Sequence, residues 1–394
     1  MEQVLAGVKV VDLTWYIAGP YCTKLLADCG AEVVKIEKPG EGDPARRMGP
    51  FPGNKPHQEK SGLYLYLNTG KKSVTLDLKS EFGKGVVKEL VKSADILVEN
   101  FSPRVMPSLG LGYETLEKVN PRLVMVSISN FGQTGPYRDF KADENILHAM
   151  GGLTATSGDE ALPPVRQGGY QAQYVGGLHA ATATMIAFHC QQVAGIGQHV
   201  DLSIMETWNY HLEFPGYYFT GRIRGQMGAL ESAVFGIYPT KDGYCGIAAT
   251  RQPDWERLKQ VIGSRELDDP KFADAGGRWE HSDELIAHIM AWTSDHTMRE
   301  MYDMLQKHGV AAGMAITPGE LLEDPQLKYR EFFTELDHPV AGRLVYPTMA
   351  AKLSETPCQL RRAPLLGEHN EEIYCERLGY DRQDLVRLKE LGVI

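Results

Sequence analysis

The chain has little of what marks a nucleic-acid-binding or membrane-spanning protein. It carries 41 Lys and Arg against 51 Asp and Glu, a net charge of −10, whereas nucleic-acid-binding proteins normally present a basic face. No apolar run approaches the ~20 residues that span a bilayer. The N-terminus, MEQVLAGVKVVDLT, has no basic region followed by a long apolar one, as a signal peptide would. These absences predict a cytoplasmic protein that binds neither nucleic acid nor membrane.

Cysteine is scarce, and the common nucleotide-binding motifs are missing. The six cysteines are scattered, with no C-x-x-C pair and no histidine at metal-ligand spacing. We therefore expect reduced thiols, no disulfide framework and no metal. No G-x-G-x-x-G follows the first predicted strand, and no G-x-x-x-x-G-K-[ST] is present. Their absence argues against dinucleotide binding and nucleotide hydrolysis.

Strands and helices alternate through the first third of the chain. Runs rich in β-branched residues predict strands, and apolar residues at helical spacing predict helices between them. The predicted strands span residues 8–13, 31–36, 73–78, 95–101 and 123–131, and the clearest helices span 19–27 and 81–94. This alternation predicts an α/β, Rossmann-like, doubly wound sheet, whose ligands bind beyond the carboxyl ends of the strands.

The length of 394 residues predicts two domains. We assign residues 1–216 to the N-terminal part of a large domain and residues 217–335 to a smaller α+β domain. The tail then returns to strand and turn character, so residues 336–394 are predicted to rejoin the large domain.

A series of sequence blocks resembles the class III (CaiB/BaiF, formyl-CoA-transferase-like) coenzyme A transferases. The blocks run in family order from GVKVVDLTWYIAGPYCTKLLADCGAEVVKIEKPGEGD to RAPLLGEH (362–369), with NTGKKSVTLDL, ADILVENFSP, NPRLVMVSISNFGQTGPY, DGYCGIA and GVAAG between them. The resemblance implies an interlaced dimer that acts on acyl-CoA and needs no metal. In that family an aspartate attacks the thioester and forms an aspartyl anhydride, which divides one difficult exchange into easier steps.

The resemblance also implies which residues contact coenzyme A. They lie after the first strand, after the second strand, before the third, after the fourth, and in a segment following the fifth. In this sequence they are Ile17, Ala18, Lys38, Leu67, Asn68, Thr69, Gly70, Asn100, Phe101, Ser102, Lys141, Ala142, Asp143 and Glu144.

The position of the family's nucleophile departs from the pattern. Counting back from Gly177-Leu178-His179, and forward from Lys141, both place Gln173 where the family has its aspartate. A glutamine amide is uncharged and poorly nucleophilic, so it cannot form the anhydride. The chain is therefore expected to carry no catalytic residue of its own, with Glu144 and Asp143 as fallback candidates.

Three functions remain open from the sequence. In the first, the chain is a subunit of a hetero-oligomeric CoA-transferase whose homologous partner brings the aspartate; the resemblance suggests succinyl-CoA:benzylsuccinate CoA-transferase of anaerobic aromatic degradation. In the second, the chain works alone with Glu144 or Asp143 as its nucleophile. In the third, it is a CoA-thioester-binding regulatory protein without chemistry. We favour the first, because the binding blocks are present while the nucleophile is missing.

Overall fold

A six-stranded parallel sheet organises the larger part of the molecule in a computed structural model, which describes residues 3–158, 162–212 and 234–394. The strand order is β3-β2-β1-β4-β5-β6. Its strands are β1 (Lys9–Asp12), β2 (Glu32–Glu37), β3 (Lys72–Thr75), β4 (Ile96–Glu99), β5 (Val124–Ser129) and β6 (Gln198–Ser203). This confirms the predicted α/β sheet. The order reverses between β1 and β4, which is where open α/β sheets bind their ligands.

The strands form because their side chains are buried on both sides, as parallel sheets require. Val10 pairs with Val33 on one side and with Ile96 on the other, and all three are almost completely buried. Alternate residues along β1 enter two different cores. Val10 joins the core beneath α1 and α8, whereas Val11 joins the core on the opposite face.

Helices cover the two faces of the sheet. They are α1 (Ala18–Asp28), α2 (Gly62–Leu67), α3 (Glu81–Lys92), α4 (Val105–Ser108), α5 (Tyr113–Leu116), α6 (Glu144–Met150), α7 (Leu153–Thr156), α8 (Gln171–Ala194) and α9 (Ile204–Tyr210). Among the described residues, none of the helices combines the length and apolar character needed to cross a bilayer.

The small residues of α8 allow it to approach α1 closely. A Cβ atom added at Gly177 would lie 2.5 Å from the carbonyl oxygen of Ala18, and one at Gly176 would lie 3.0 Å from the Ile204 side chain. Only glycine fits at Gly177, because a backbone atom cannot move aside as a flexible side chain can. The first turn of α8 is therefore held at a fixed place beside the loop that follows β1.

The chain clusters into two compact units. The first contains residues 1–154, 166–212 and 329–394, and the second contains residues 155–165 and 213–328. In the second unit, β7 (Phe235–Pro239), β8 (Tyr244–Ala248) and β9 (Ala311–Met314) form an antiparallel sheet. Its other main elements are Gln252–Ile262, Ala275–Glu280, Ser282–Thr293 and Met298–Lys307, which are helices. The predicted boundary at residues 216 and 217 lies outside the described residues.

The C-terminal segment packs within the first unit. It contains a hairpin of β10 (Phe333–His338) and β11 (Gly342–Pro347), a π-helical turn at Glu372–Arg377 and the helix Arg382–Glu390. The short helix Pro325–Tyr329 precedes this segment and ends where the first unit resumes. Tyr374 is fully buried, and its hydroxyl donates to the carbonyl oxygen of Thr75 at 2.8 Å. The edge strand β3 is thus covered by residues almost 300 positions later in the sequence.

Candidate active site

Two cavities lie in the first unit at the carboxyl ends of the parallel strands. The larger, of about 910 Å³, follows β1, β4 and β5 and reaches the first turn of α8; we call it the Gln173 cavity. The smaller, of about 500 Å³, follows β1, β2 and β3; we call it the Lys38 cavity. Phe101 lines both cavities. The site is therefore a pair of adjoining compartments at the switch point of the sheet.

Polar side chains fix the loop after β1. The backbone N–H of Thr14 donates to Asp12 at 2.8 Å, and that of Tyr16 donates to Asp43 Oδ1 at 3.0 Å. The Asn100 side chain makes two hydrogen bonds to the Trp15 backbone: it accepts from the N–H at 2.8 Å and donates to the carbonyl at 2.7 Å. Tyr16 has φ of 66°, a conformation that costs a non-glycine residue energy unless its surroundings hold it. The hydrogen bonds supply that restraint and place Ile17 at the Gln173 cavity.

Buried ion pairs lie beneath this loop. Lys35 Nζ contacts Asp43 Oδ2 at 2.9 Å and donates to the carbonyl of Thr14 at 2.6 Å, while Lys71 contacts Asp12 at 3.0 Å. Burial alone would raise the pKa of Asp12, but Lys71, Lys35 and neighbouring hydroxyls lower it to about 2. Burial lowers the pKa of Lys71 to about 8. Removing one partner would leave an uncompensated buried charge, so this network holds the loop.

The segment after β4 separates the two cavities. The backbone N–H of Phe101 donates to Glu99 Oε2 at 2.8 Å. Its ring packs edge-on against Trp15, with ring centroids 5.3 Å apart. Asn100 and Ser102 line the Gln173 cavity on one side of this wall. The structure thus brings together the predicted residues of the first and fourth strand loops.

Gln173 lies in the first turn of α8, with its side chain half-buried at the larger cavity. Beside it, Glu144 Oε1 accepts from the N–H of Ala172 at 2.8 Å, and Oε2 accepts from the N–H of Gln173 at 3.3 Å. His148 contacts the same carboxylate at 2.8 Å, and its ring packs at a tilt against Trp208. Both Glu144 oxygens are engaged, so this carboxylate satisfies N–H groups that a helix N-terminus otherwise leaves without partners.

The second fallback carboxylate is also engaged. Asp143 is the N-cap of α6 and accepts from the N–H groups of Asn145 at 3.1 Å and Ile146 at 3.3 Å. It lines the Gln173 cavity, as do Lys141 and Ala142. The predicted segment 141–144 is therefore at the site. The link from Glu144 to α8 spans 28 residues, so no local sequence pattern signals it.

Cations line much of the larger cavity. Arg104 forms a bidentate contact with Asp139, at 2.8 and 2.5 Å, and Arg138 lies 3.7 Å from the same carboxylate. Lys141 and Arg166 also line the cavity, and Arg166 donates to the carbonyl of Gly169 at 3.0 Å. Asp139, Asp143 and Glu144 line the same cavity, so its charged lining is of both signs.

Of the predicted binding residues after the second strand and before the third, only one lines either cavity. Lys38 lines the smaller cavity and pairs with Glu41 at 2.5 Å. By contrast, Leu67, Asn68 and Thr69 are fully buried; Asn68 accepts from Lys71 and Thr69 donates to Asp28. Gly70 has a positive φ and donates to the carbonyl of Arg361. None of these four residues lines either cavity, and Ala18, which is fully buried in α1, does not line them either.

Residues 76–79 line the smaller cavity, whereas residues 67–70 do not. The strand predicted at 73–78 ends at Thr75, and the chain then lines the smaller cavity through Leu76, Asp77, Leu78 and Lys79. Residues 76–79 were not selected from the sequence, because Thr75-Leu76-Asp77-Leu78 continues the alternation of apolar and polar residues that predicts a strand. The available signal was the rule that ligands meet the end of a parallel strand and not its beginning.

Comparison with known proteins assigns the chain. The sequence model of CoA-transferase family III matches residues 5–370. The chain belongs to this family. It is 38% identical over 397 residues to succinyl-CoA–D-citramalate CoA-transferase of Chloroflexus aurantiacus, covering 99% of this chain and 98% of that one. It is 31% identical over 422 residues to a formyl-CoA:oxalate CoA-transferase of Rhodopseudomonas palustris, covering 100% and 98%.

Solved structures agree with this family III assignment. A crystal structure of a CAIB/BAIF family protein from Brucella suis superposes with a TM-score of 0.86 at 29% identity, covering 95% of this chain and all of that one. The family predicted from the sequence blocks is confirmed, and with it acyl-CoA as the family's substrate. Among the described residues of this family III chain, no three His, Cys, Asp or Glu side chains are placed to hold a metal ion.

Proposed function

We propose that this chain is the acyl-CoA-binding, non-nucleophilic subunit of a heteromeric class III CoA-transferase in the cytoplasm. The observation that carries the proposal is Gln173, which stands in the first turn of α8 at the wall of the larger cavity. An amide there cannot become the acyl anhydride through which the family reaction passes. A homologous partner with aspartate at this position supplies the nucleophile.

The adjoining cavities support the binding half of the proposal. Lys38 and Lys79 lie at the smaller cavity, where ammonium groups would serve as point charges for the phosphates of coenzyme A. The thioester end would extend past Phe101, which lines both compartments, toward Gln173. The domain formed by residues 1–216 and 336–394 is therefore our candidate for the coenzyme A domain.

The engaged carboxylate of Glu144 argues against the chain acting alone through that residue. A nucleophilic carboxylate must leave one oxygen available to attack the thioester carbonyl. Glu144 has one oxygen on Ala172 N–H and His148 and the other on Gln173 N–H, so using it would break the hydrogen bonds that hold the first turn of α8. Asp143 caps α6 through Oδ1 alone, so the geometry argues against Glu144 more strongly than against Asp143.

An exposed apolar stripe on α8 supports association with a partner chain. Leu178, Ile186 and Val193 are 49%, 68% and 75% exposed, and their spacing of eight and seven residues places them on one side of the helix. Exposed apolar stripes of this kind mark interaction surfaces. A homologue of the same fold, interlaced with this chain, would cover the stripe.

For the substrates, we propose succinyl-CoA as donor and benzylsuccinate as acceptor. Two observations support acids of this class. The relative from Chloroflexus is named for succinyl-CoA and citramalate, which is a dicarboxylate as benzylsuccinate is. The larger cavity presents Lys141 and Arg166, and a guanidinium binds carboxylates in a fork geometry.

The test is isolation of the complex. The chain is affinity-purified from its host, and any co-purifying protein is identified by mass spectrometry. We expect a family III homologue with aspartate at the position of Gln173, and succinyl-CoA-dependent exchange in that fraction only. Transferase activity in a fraction that contains only copies of this chain would contradict the proposal. So would full activity of the homologue alone, with unchanged stability and substrate affinity.

A further inference from the structure

A buried carboxyl group without a cationic partner lies beneath the wall between the two cavities. Glu99, the last residue of β4, is 3% exposed. Its Oε2 accepts the N–H of Phe101 at 2.8 Å, and its carboxyl also hydrogen-bonds with Ser127, the residue directly opposite it on β5. It is therefore joined to the backbone of the residue that both cavities share.

Besides Phe101, the groups that act directly on Glu99 are Ser127 of β5 and Asp201 of β6, and further side chains pack around Ser127. Ser127 of β5 has its Oγ 2.9 Å from Nε2 of His199, which lies on β6. Asp201, also on β6, repels the ionised carboxylate of Glu99. On α5, Tyr113 stacks on His199 with ring centroids 5.3 Å apart. No Lys or Arg is among the groups that act on Glu99 in the described part of the chain. Its charge is balanced only by hydrogen bonds.

Such an arrangement is costly, and packing alone does not explain it. A carboxylate removed from water without a counter-ion is disfavoured, and burial raises the pKa of Glu99 to about 7. A glutamine or an apolar residue would fill the same space without this penalty. What an ionised carboxylate adds is a strong acceptor, because a charge-assisted hydrogen bond is about twice as strong as a neutral one.

We propose that Glu99 is a positioning residue for the acyl-CoA site, whose ionised carboxylate holds the Phe101 backbone and thereby sets the wall between the cavities. The inference rests on the proposed function, since it assumes that coenzyme A occupies these cavities. A change at Glu99 reaches the loop after β1 through Phe101, because the Phe101 ring packs on Trp15, whose backbone is held by Asn100. Protonation of Glu99 weakens the bond to the Phe101 N–H and loosens this wall, so affinity for coenzyme A falls as pH falls.

The experiment is a calorimetric titration of the full-length chain with coenzyme A between pH 6 and pH 8. Between pH 6 and pH 8, the affinity of the wild type for coenzyme A is expected to change by about tenfold more than that of Glu99→Gln, which is the difference in strength between a charge-assisted and a neutral hydrogen bond expressed as a ratio of affinities. Phosphate ionisation of coenzyme A affects every variant equally. Glu114→Gln, an exposed change on α5, should match the wild type, and His199→Gln should keep most of the pH dependence.

A second variant keeps the inference testable if Glu99→Gln does not fold. Ser127→Ala removes a hydrogen bond that favours the ionised carboxylate, so the midpoint of the affinity profile should move to higher pH. Equal pH profiles for the wild type, Glu99→Gln and Ser127→Ala would overturn the inference while leaving the proposed function intact. Loss of the pH dependence in His199→Gln but not in Glu99→Gln would also overturn it. Absence of coenzyme A binding in every protein at every pH would overturn both.

Discussion

On the proposed function, the Lys38 cavity and the Gln173 cavity keep different parts of the family's chemistry. The smaller cavity offers Lys38 and Lys79 at the ends of β2 and β3, which is what an anionic nucleotide requires. The larger cavity offers cations and a well-held backbone, but an amide where a nucleophile is needed. On that proposal, substrate binding and nucleophilic attack depend on separate residues at one edge of the sheet, so one can be lost while the other is kept.

The supports of the two cavities differ as well. Beneath the loop after β1, the buried charges meet in ion pairs such as Lys35 with Asp43 and Lys71 with Asp12. At the start of α8, Glu144 has no Lys or Arg partner among the described residues and binds two backbone N–H groups and His148. The first arrangement fixes a loop for a ligand. The second fixes the helix on which the nucleophile would stand.

The largest expected effect is a gain of CoA-transferase activity from one substitution in the larger cavity. Gln173→Asp restores a carboxylate where the family forms its anhydride, so exchange between succinyl-CoA and a dicarboxylate should rise at least ~10³-fold over the wild-type chain, a typical scale for a group that acts only in the transition state. Radiolabel exchange measures it. Gln171→Asp, an exposed change two residues away, is the matched control. A folded, CoA-binding Gln173→Asp chain without activity would show that more than the nucleophile is missing.

The second effect concerns the support of α8. Glu144→Ala leaves two N–H groups of the helix and the buried His148 without their acceptor, and should lower the free energy of unfolding by about 3 kcal/mol. Asp143→Ala removes only an exposed cap and should cost about 1 kcal/mol. Urea denaturation compares the two variants. Equal losses would mean that Glu144 does not have the supporting role described here.

The third effect is a pH-dependent stability at the wall between the cavities. Because the pKa of Glu99 rises from its ordinary 4.5 to about 7 in the folded chain, its contribution to stability is present below pH 4.5 and is lost as the pH rises through 7. The advantage of Glu99→Gln over the wild type should therefore grow by about 2 kcal/mol between pH 5 and pH 8. Thermal or urea unfolding at the two pH values measures it, and a constant difference would contradict it.

The smallest effect lies in the smaller cavity. Lys38→Met removes an exposed point charge and should weaken coenzyme A binding about fivefold, as expected for one solvent-exposed contact to a phosphate. Lys84→Met is the matched control, because Lys84 is also in an i,i+3 pair, with Glu81, but lies outside both cavities. Calorimetry at low salt measures the difference. Equal affinities for the two variants would remove Lys38 from the binding site.

Sequence reasoning predicted the sheet well because its signals are local. The β-branched run at 8–13 and the Gly19-Pro20 start lie within a residue or two of β1 (Lys9–Asp12) and α1 (Ala18–Asp28). The end of β3 was misplaced because Leu76 and Leu78 continue the alternation of a strand after the ladder has stopped. Residues 67–70 were expected at the ligand although Leu67, Asn68 and Thr69 are buried.

Other features of the site depend on contacts that no local pattern encodes. The capping of α8 by Glu144 joins segments 28 residues apart, and Asp43 reaches Tyr16 across 27 residues. The role of Glu99 is set by its neighbours on β5 and β6, which follow it by roughly 30 to 100 positions. The position of Gln173 was predicted from the family resemblance, by counting back from Gly177 and forward from Lys141.

On the proposed function, this chain binds acyl-CoA but cannot be acylated by it. The direct measurement is incubation of the purified wild-type chain with succinyl-CoA and hydroxylamine, followed by peptide mass mapping. We expect no hydroxamate on any carboxylate of the wild-type chain, and a hydroxamate at position 173 in Gln173→Asp treated in parallel. A hydroxamate on Glu144 or Asp143 of the wild-type chain would contradict the account.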